Sequence, residues 1–142
     1  MGCDIYGVVE RRVTGDERWI AYRTLDPISN IYGEKYGAFA EPVALSRNYE
    51  RFAKLAGVRG DGPEARGMPA DASETSLLRF KQRGGHTPSW LPLIEACDIF
   101  VATERGTVSD FDRNYSQYFY FGIEPEVDGP LSEFRLVFWF DS

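Results

Sequence analysis

With 142 residues, 43% of them hydrophobic and 15% aromatic, the chain has the size and composition of one folded domain spanning residues 1–142, not of a disordered segment. A formal charge of −6 argues against broad binding to duplex nucleic acid, which needs many cationic contacts to phosphate. Apolar runs such as Leu136-Val137-Phe138-Trp139-Phe140 are far too short to span a bilayer, so no membrane partner is expected.

Residues 4–13 carry Ile5, Val9 and Val13 on one parity and read as a strand. Thr14-Gly15-Asp16-Glu17 reads as a turn and Arg18 to Leu25 as the return strand, which predicts an N-terminal hairpin. Residues 26–46, with Pro27, Gly33, Gly37 and Pro42, read as an irregular loop. Arg47 to Ala56 has the clearest helical pattern: Tyr49, Phe52, Ala53 and Ala56 share one stripe, and Gly57 follows as a C-terminal cap. Val58 to Ala70 is rich in glycine and proline and reads as a loop. Asp71-Ala72-Ser73-Glu74 then resembles a capped helix start, with the helix running to Gly84-Gly85. His86 falls in a glycine- and proline-bearing loop, and a short helix is expected from Leu91 or Pro92. Residues 98–103, the aromatic run Tyr115 to Phe121 and Glu133 to Phe140 read as strands. The pattern predicts an α+β fold: a mainly antiparallel sheet with N- and C-terminal strands, and two to three short helices in the middle.

Charge is unevenly distributed. Residues 47–83 hold eight basic and five acidic side chains, whereas residues 84–142 hold three basic and ten acidic ones. A small anionic ligand near the basic middle is therefore conceivable, against the alternative of ordinary solvated charge. Cys3 and Cys97 read as reduced thiols of a cytoplasmic protein, and no basic stretch followed by an apolar one marks a secretory leader.

Two segments stand out: Met1-Gly2-Cys3-Asp4-Ile5-Tyr6-Gly7, and Gly84-Gly85-His86-Thr87-Pro88-Ser89-Trp90 around the sole histidine. They resemble an uncharacterised family of small phage and prophage proteins that start MGCDIH and carry an HSHSW segment near the middle. The blocks similar to that family are Met1 to Glu10, Arg47 through Arg59, Arg66 to Asp71, Gly85 to Glu95 and Arg135 to Asp141, in the family's order. The resemblance implies a phage accessory protein acting in the cytoplasm of a bacterial host cell. It also implies that Tyr6 and Pro88 stand where relatives carry histidines, which depletes any metal or acid–base site those relatives hold.

Chemistry-bearing residues are few. Zinc takes about four ligands from cysteine, histidine and carboxylates. Here Cys3, Asp4, His86 and Cys97 are available without any paired spacing, so no metal and no cofactor are expected. A Cys3–His86 or Ser89–His86 pair is conceivable for nucleophilic catalysis. However, free cysteine is commonly a small buried hydrophobe, and Ser89 reads as a turn or cap residue. Twin-histidine phosphoester chemistry is excluded with one histidine, and acid–base work by His86 with Asp4 or Tyr6 stays open.

Binding chemistry is better represented. Arg59, Arg66 and His86 lie in or beside loops where guanidinium forks and backbone donors can meet an anion. Arg47 precedes the best helix, whose N-terminal end favours negative charge. Tyr6 and Trp90 offer faces for a nucleobase, with Asp4 beside Tyr6. Against this, Arg66 can tie a loop to carbonyls, Trp90 can be core, and His86 can be an ordinary loop residue. The expected ligand set is Asp4, Tyr6, Arg47, Arg59, Arg66, His86 and Trp90 with no catalytic residue, and it requires the N-terminal motif and His86 to meet in space.

Three readings result. The first is a binding protein that sequesters a small anionic, nucleotide-derived signal, an anti-defence sponge, expected to assemble as a homo-oligomer because aromatic surface suits an interface between copies. The second is a nucleotide- or phosphoester-processing enzyme. The third is a protein-binding inhibitor of a host enzyme that uses the Tyr115 to Phe121 strip, with Tyr118 and Phe119 carrying the effect, or the acidic C-terminal half.

Overall fold

The two ends of the chain meet at the centre of one sheet. The computed structural model describes residues 2–13, 15–16, 18–27, 43–45, 47–104 and 113–141. Strands β1 (Asp4–Arg11), β2 (Ile20–Pro27), β3 (Val43–Leu45), β4 (His86–Pro92) and β5 (Phe134–Asp141) lie in the order β3-β2-β1-β5-β4. Strands β2, β1, β5 and β4 are mutually antiparallel, and the short β3 runs parallel to β2. Helices α1 (Tyr49–Ala56), α2 (Glu74–Arg83), α3 (Leu93–Ala102), α4 (Arg113–Phe121) and α5 (Pro125–Asp128) complete the fold, with a 3₁₀ turn at Leu131–Glu133. This is the expected α+β class with N- and C-terminal strands in a mainly antiparallel sheet.

β1 and β5 pair along their whole length, from Asp4 opposite Asp141 to Arg11 opposite Phe134. A central strand is covered on both faces, and every residue of β5 from Phe134 to Phe140 is buried. Side chains alternate between the faces with period two. Ile5, Val9, Leu136, Phe138 and Phe140 point to the larger core, where they meet Phe52 of α1, Leu93, Cys97 and Phe100 of α3, and Phe121 of α4. Tyr6, Val8, Val137 and Trp139 point the other way and meet Met68, Trp90 and Phe80 of α2. The result is three layers, with α1, α3 and α4 on one face and α2 on the other.

Local chemistry sets the helix ends. Asn48 caps α1 by accepting from the Arg51 N–H, Ser73 caps α2 by accepting from the Ser76 N–H, and Gly57 and Gly84 close them in the left-handed conformation. Two expected strands are helices instead. Residues 98–103 belong largely to α3, because Leu93, Ala96, Cys97 and Phe100 form a buried helical stripe that starts right after Pro92. Tyr115 to Phe121 lies in α4, where Gln117, Tyr120 and Phe121 are buried while Tyr118 and Phe119 are exposed. The aromatic preference for strands is weaker than this helical spacing once a core is available. Conversely, the loop expected around His86 is edge strand β4. Its register slips between His86 and Ser89, with Thr87 at φ 52°, and Pro88 sits in that irregularity, where a missing N–H costs no ladder bond. Most of residues 26–46 and two residues of the expected hairpin turn, Thr14 and Glu17, lie outside the described residues.

Candidate functional site

Six of the seven residues expected from sequence form two groups along β5, and Tyr6 stands apart from both. Ile5 of β1 and His86 of β4 both lie opposite Phe140, one on each side, which puts the N-terminal motif two strand spacings from His86, about 10 Å. At this end Asp4 accepts from Arg47 Nε at 2.7 Å. The Arg59 guanidinium lies 4.8 Å from the Tyr49 ring centre, and the Tyr49 hydroxyl accepts from the Cys3 N–H at 3.2 Å. Ring contacts then run from Tyr49 through Phe52 and Phe140 to His86, whose Nδ1 is 2.8 Å from Thr87 Oγ1. Cys3 is fully buried, and burial pushes its thiol up despite the opposing charge of Arg59, so the sulfur stays protonated and is no nucleophile. Asn48, beside Arg47, is also committed: its amide nitrogen donates to the Thr103 carbonyl.

Tyr6 does not join this group. Parity turns it to the opposite face, where it is 4% exposed, nearly parallel to the Trp139 ring and approached by the Arg83 guanidinium at 5.2 Å. Arg66 and Trp90 belong further along. Trp90 pairs with Val137, three residues from Phe140 on β5, or roughly 10 Å. Arg66 sits with its guanidinium 5.1 Å from the Trp90 ring centre and 3.6 Å from Glu95, while its N–H donates to Ser89 Oγ. Ser89 is buried in β4, neither turn nor cap.

Beyond Trp90, on the face carrying α2, lies a polar cluster that the sequence reading did not select. Glu10 and Arg135 are directly opposite each other on β1 and β5, in the same facing row as Tyr6, Val8, Val137 and Trp139. Glu10 is fully buried, and its carboxylate accepts from Arg135, Ser73 and Ser76. Arg135 Nε reaches Oε1 at 2.7 Å, and the Ser73 N–H and Ser76 hydroxyl reach Oε2 at 2.8 and 2.6 Å. The carboxylate thus sits at the N-terminal end of α2, where the helix dipole favours an anion. Arg135 goes on to donate from Nη1 to Asp71 Oδ1 at 3.0 Å and from Nη2 to the Asp71 carbonyl at 3.3 Å. Burial alone would raise the Asp71 pKa, but the hydrogen bond and charge of Arg135 bring it below the ordinary value, so Asp71 is ionised at neutral pH.

Two indoles flank this cluster. The Arg135 guanidinium carbon is 4.0 Å from the Trp19 ring centre and 5.7 Å from that of Trp90, so the rings lie within about 10 Å of each other. The exposed Arg12 lies 4.8 Å from the Trp19 ring. Together with Asp71 and Pro92 these residues line a cavity of about 460 Å³. A second groove of about 600 Å³ adjoins it, sharing Trp19 and Asp71 and adding Arg18 and the start of α2.

Flat apolar surface comes from the indoles, a fixed acceptor edge from Asp71, and cationic groups from Arg12 and Arg18. Glu10 and Arg135 are satisfied by each other and by their neighbours, and His86 is at the other end of the sheet. Among the described residues no group of three or more His, Cys, Asp or Glu is placed to hold a metal ion, and no helix is long and apolar enough to cross a membrane. Glu10, Trp19, Asp71, Arg12 and Arg135 were missed from sequence. One signal was present: Arg135 is a lone charge inside an otherwise apolar strand, which calls for a buried partner. No family model matches the chain, and neither does any curated protein or solved structure.

Proposed function

We propose that this protein binds a small, planar, anionic ligand of nucleotide type in the cavity lined by Trp19, Asp71 and Trp90, and holds it without transforming it. The observation that carries the reading is the pair of indoles around a cavity whose buried charges are already neutralised. The volume suits a mononucleotide-sized molecule, since small-molecule sites commonly enclose about 300–1,000 Å³. Base–aromatic stacking contributes about 1–3 kcal/mol per base. Arg12 and Arg18 at the mouth are available for phosphate. The resemblance to phage proteins supports sequestration of a host signalling nucleotide as the biological use, in a bacterial cytoplasm. A phosphoester-processing enzyme is less well supported, because Asp71 of the cavity lining is bonded to Arg135 through one oxygen and Glu10 is buried and paired.

Tryptophan fluorescence tests the reading. Titration with nucleotides is expected to quench Trp19 and Trp90, with Trp139, buried against α2, giving a constant background. Quenching that persists in Trp19→Ala/Trp90→Ala, or no quenching into the millimolar range, would refute it. A protein-binding role has one observation of its own, the exposed neighbours Tyr118 and Phe119 at 58% and 52% on α4. Under that reading Tyr118→Ser/Phe119→Ser abolishes the effect on a host target, and cleft substitutions do not.

A further inference from the structure

We infer that the cleft selects guanine over the other bases, with Asp71 as the residue that reads the ring edge. The inference rests on the nucleotide-binding reading above and adds a specificity to it. Asp71 lies where the cavity and the adjoining groove meet, beside Trp19 in both. Its side chain is 56% exposed, while one oxygen, Oδ1, is pinned by Arg135 Nη1 and the backbone carbonyl of the same residue is held by Nη2. Arg135 is in turn locked by Glu10 and packed against both indoles. The carboxylate is therefore a preorganised, acceptor-only edge at the side of a flat-ring site.

Base chemistry then discriminates. An ionised carboxylate can only accept hydrogen bonds. Guanine presents two adjacent donors, N1–H and the 2-amino group, which match Oδ2 and the second lone pair of Oδ1, the one not used by Arg135. Adenine and cytosine present an amino donor next to a ring-nitrogen acceptor, whose lone pair opposes the carboxylate. Uracil and thymine flank their single ring N–H with two carbonyl oxygens. Hypoxanthine keeps N1–H and lacks the amino group, so it should rank between guanine and adenine. With the ring edge on Asp71, beside the Arg135 guanidinium and against the part of the indoles that lines the cavity, the phosphate falls to Arg12 or Arg18, the exposed cations of the two joined grooves.

The test is a calorimetric titration of the full chain with GMP, IMP and AMP, repeated on Asp71→Asn. An asparagine keeps an acceptor for Arg135 and replaces part of the acceptor edge with a donor. The expected result is GMP tighter than AMP by on the order of tenfold to a hundredfold, IMP between them, and a ranking that collapses in Asp71→Asn. Equal affinities for the three nucleotides would overturn the guanine inference and leave the binding reading standing. So would a GMP preference that survives in folded Asp71→Asn. Absence of binding by all three would overturn both. The wild-type ranking alone decides the matter if Asp71→Asn fails to fold.

Discussion

Replacing Glu10 by alanine is the sharpest perturbation of the framework that holds the cleft. The substitution removes the acceptor of Arg135 Nε, of the Ser73 N–H and of the Ser76 hydroxyl, all within the interior. Unpairing a buried charge costs about 3–5 kcal/mol. Arg135 keeps Asp71 as a counter-charge, which places the expected loss near the lower end, about 3 kcal/mol. For a chain of this length that corresponds to a drop in Tm of about 10 °C. Arg135→Met strands Glu10 and should cost a similar amount. Glu10→Ala/Arg135→Met removes both charges, so its loss is expected to fall short of the sum of the single losses by about 2 kcal/mol or more. The double variant also frees Asp71 from Arg135, so nucleotide binding is expected to fall even where the fold is regained. Urea denaturation followed by circular dichroism measures all three. Single-variant losses below about 1 kcal/mol, or strictly additive costs, would refute the claim that Glu10 and Arg135 act as a buried pair.

Other expectations follow from the same structure. Burial alone would raise the Asp128 pKa, but the Tyr22 hydroxyl, the Glu124 N–H and the charges of Arg23 and Arg11 hold it below the ordinary value. A carboxyl depressed in the folded state adds stability that is full above its unfolded pKa and lost as pH falls through the folded one. Stability should therefore decline below about pH 4, and Asp128→Asn should flatten that acid limb in thermal melts. Gly85→Ala is expected to destabilise by about 1–3 kcal/mol. Its Cβ would stand 2.4 Å from Trp139 Cδ1 and 2.7 Å from the Phe140 carbonyl oxygen, which as backbone cannot step aside. Cys3 and Cys97 are both fully buried, so an aromatic disulfide reagent should label neither in the native protein and both after denaturation; rapid native labelling would contradict the packing.

The parts of the fold written in local chemistry were legible from sequence. Asn48, Ser73, Gly57 and Gly84 announce helix ends because capping acts within a few residues. Strands β1 and β5 were legible because alternation and an unbroken apolar run are local too. Strand β4 was not, since Gly85 and Pro88 are ordinary loop signals, and His86–Pro92 is extended because β5 offers it a pairing edge. The Tyr115 to Phe121 helix was hidden by β-favouring residues whose burial is set by a core contributed from elsewhere. The candidate site was the least legible. Glu10 and Arg135 are 125 residues apart in sequence, and only the β1–β5 register brings them together. Trp90 was named for its aromatic face and its place in the Gly84 to Trp90 segment. Trp19, on the return side of the hairpin, carried no signal that distinguished it from core.

The most direct test of ligand binding at the Trp19–Trp90 cleft is a native mass spectrum of the purified chain with a panel of nucleotides and cyclic nucleotides, followed by denaturation to recover what was bound. A gain of one intact nucleotide per chain, absent from Trp19→Ala/Trp90→Ala, is the predicted result. No gain, a gain unchanged in that variant, or recovery of the nucleotide as fragments would contradict it.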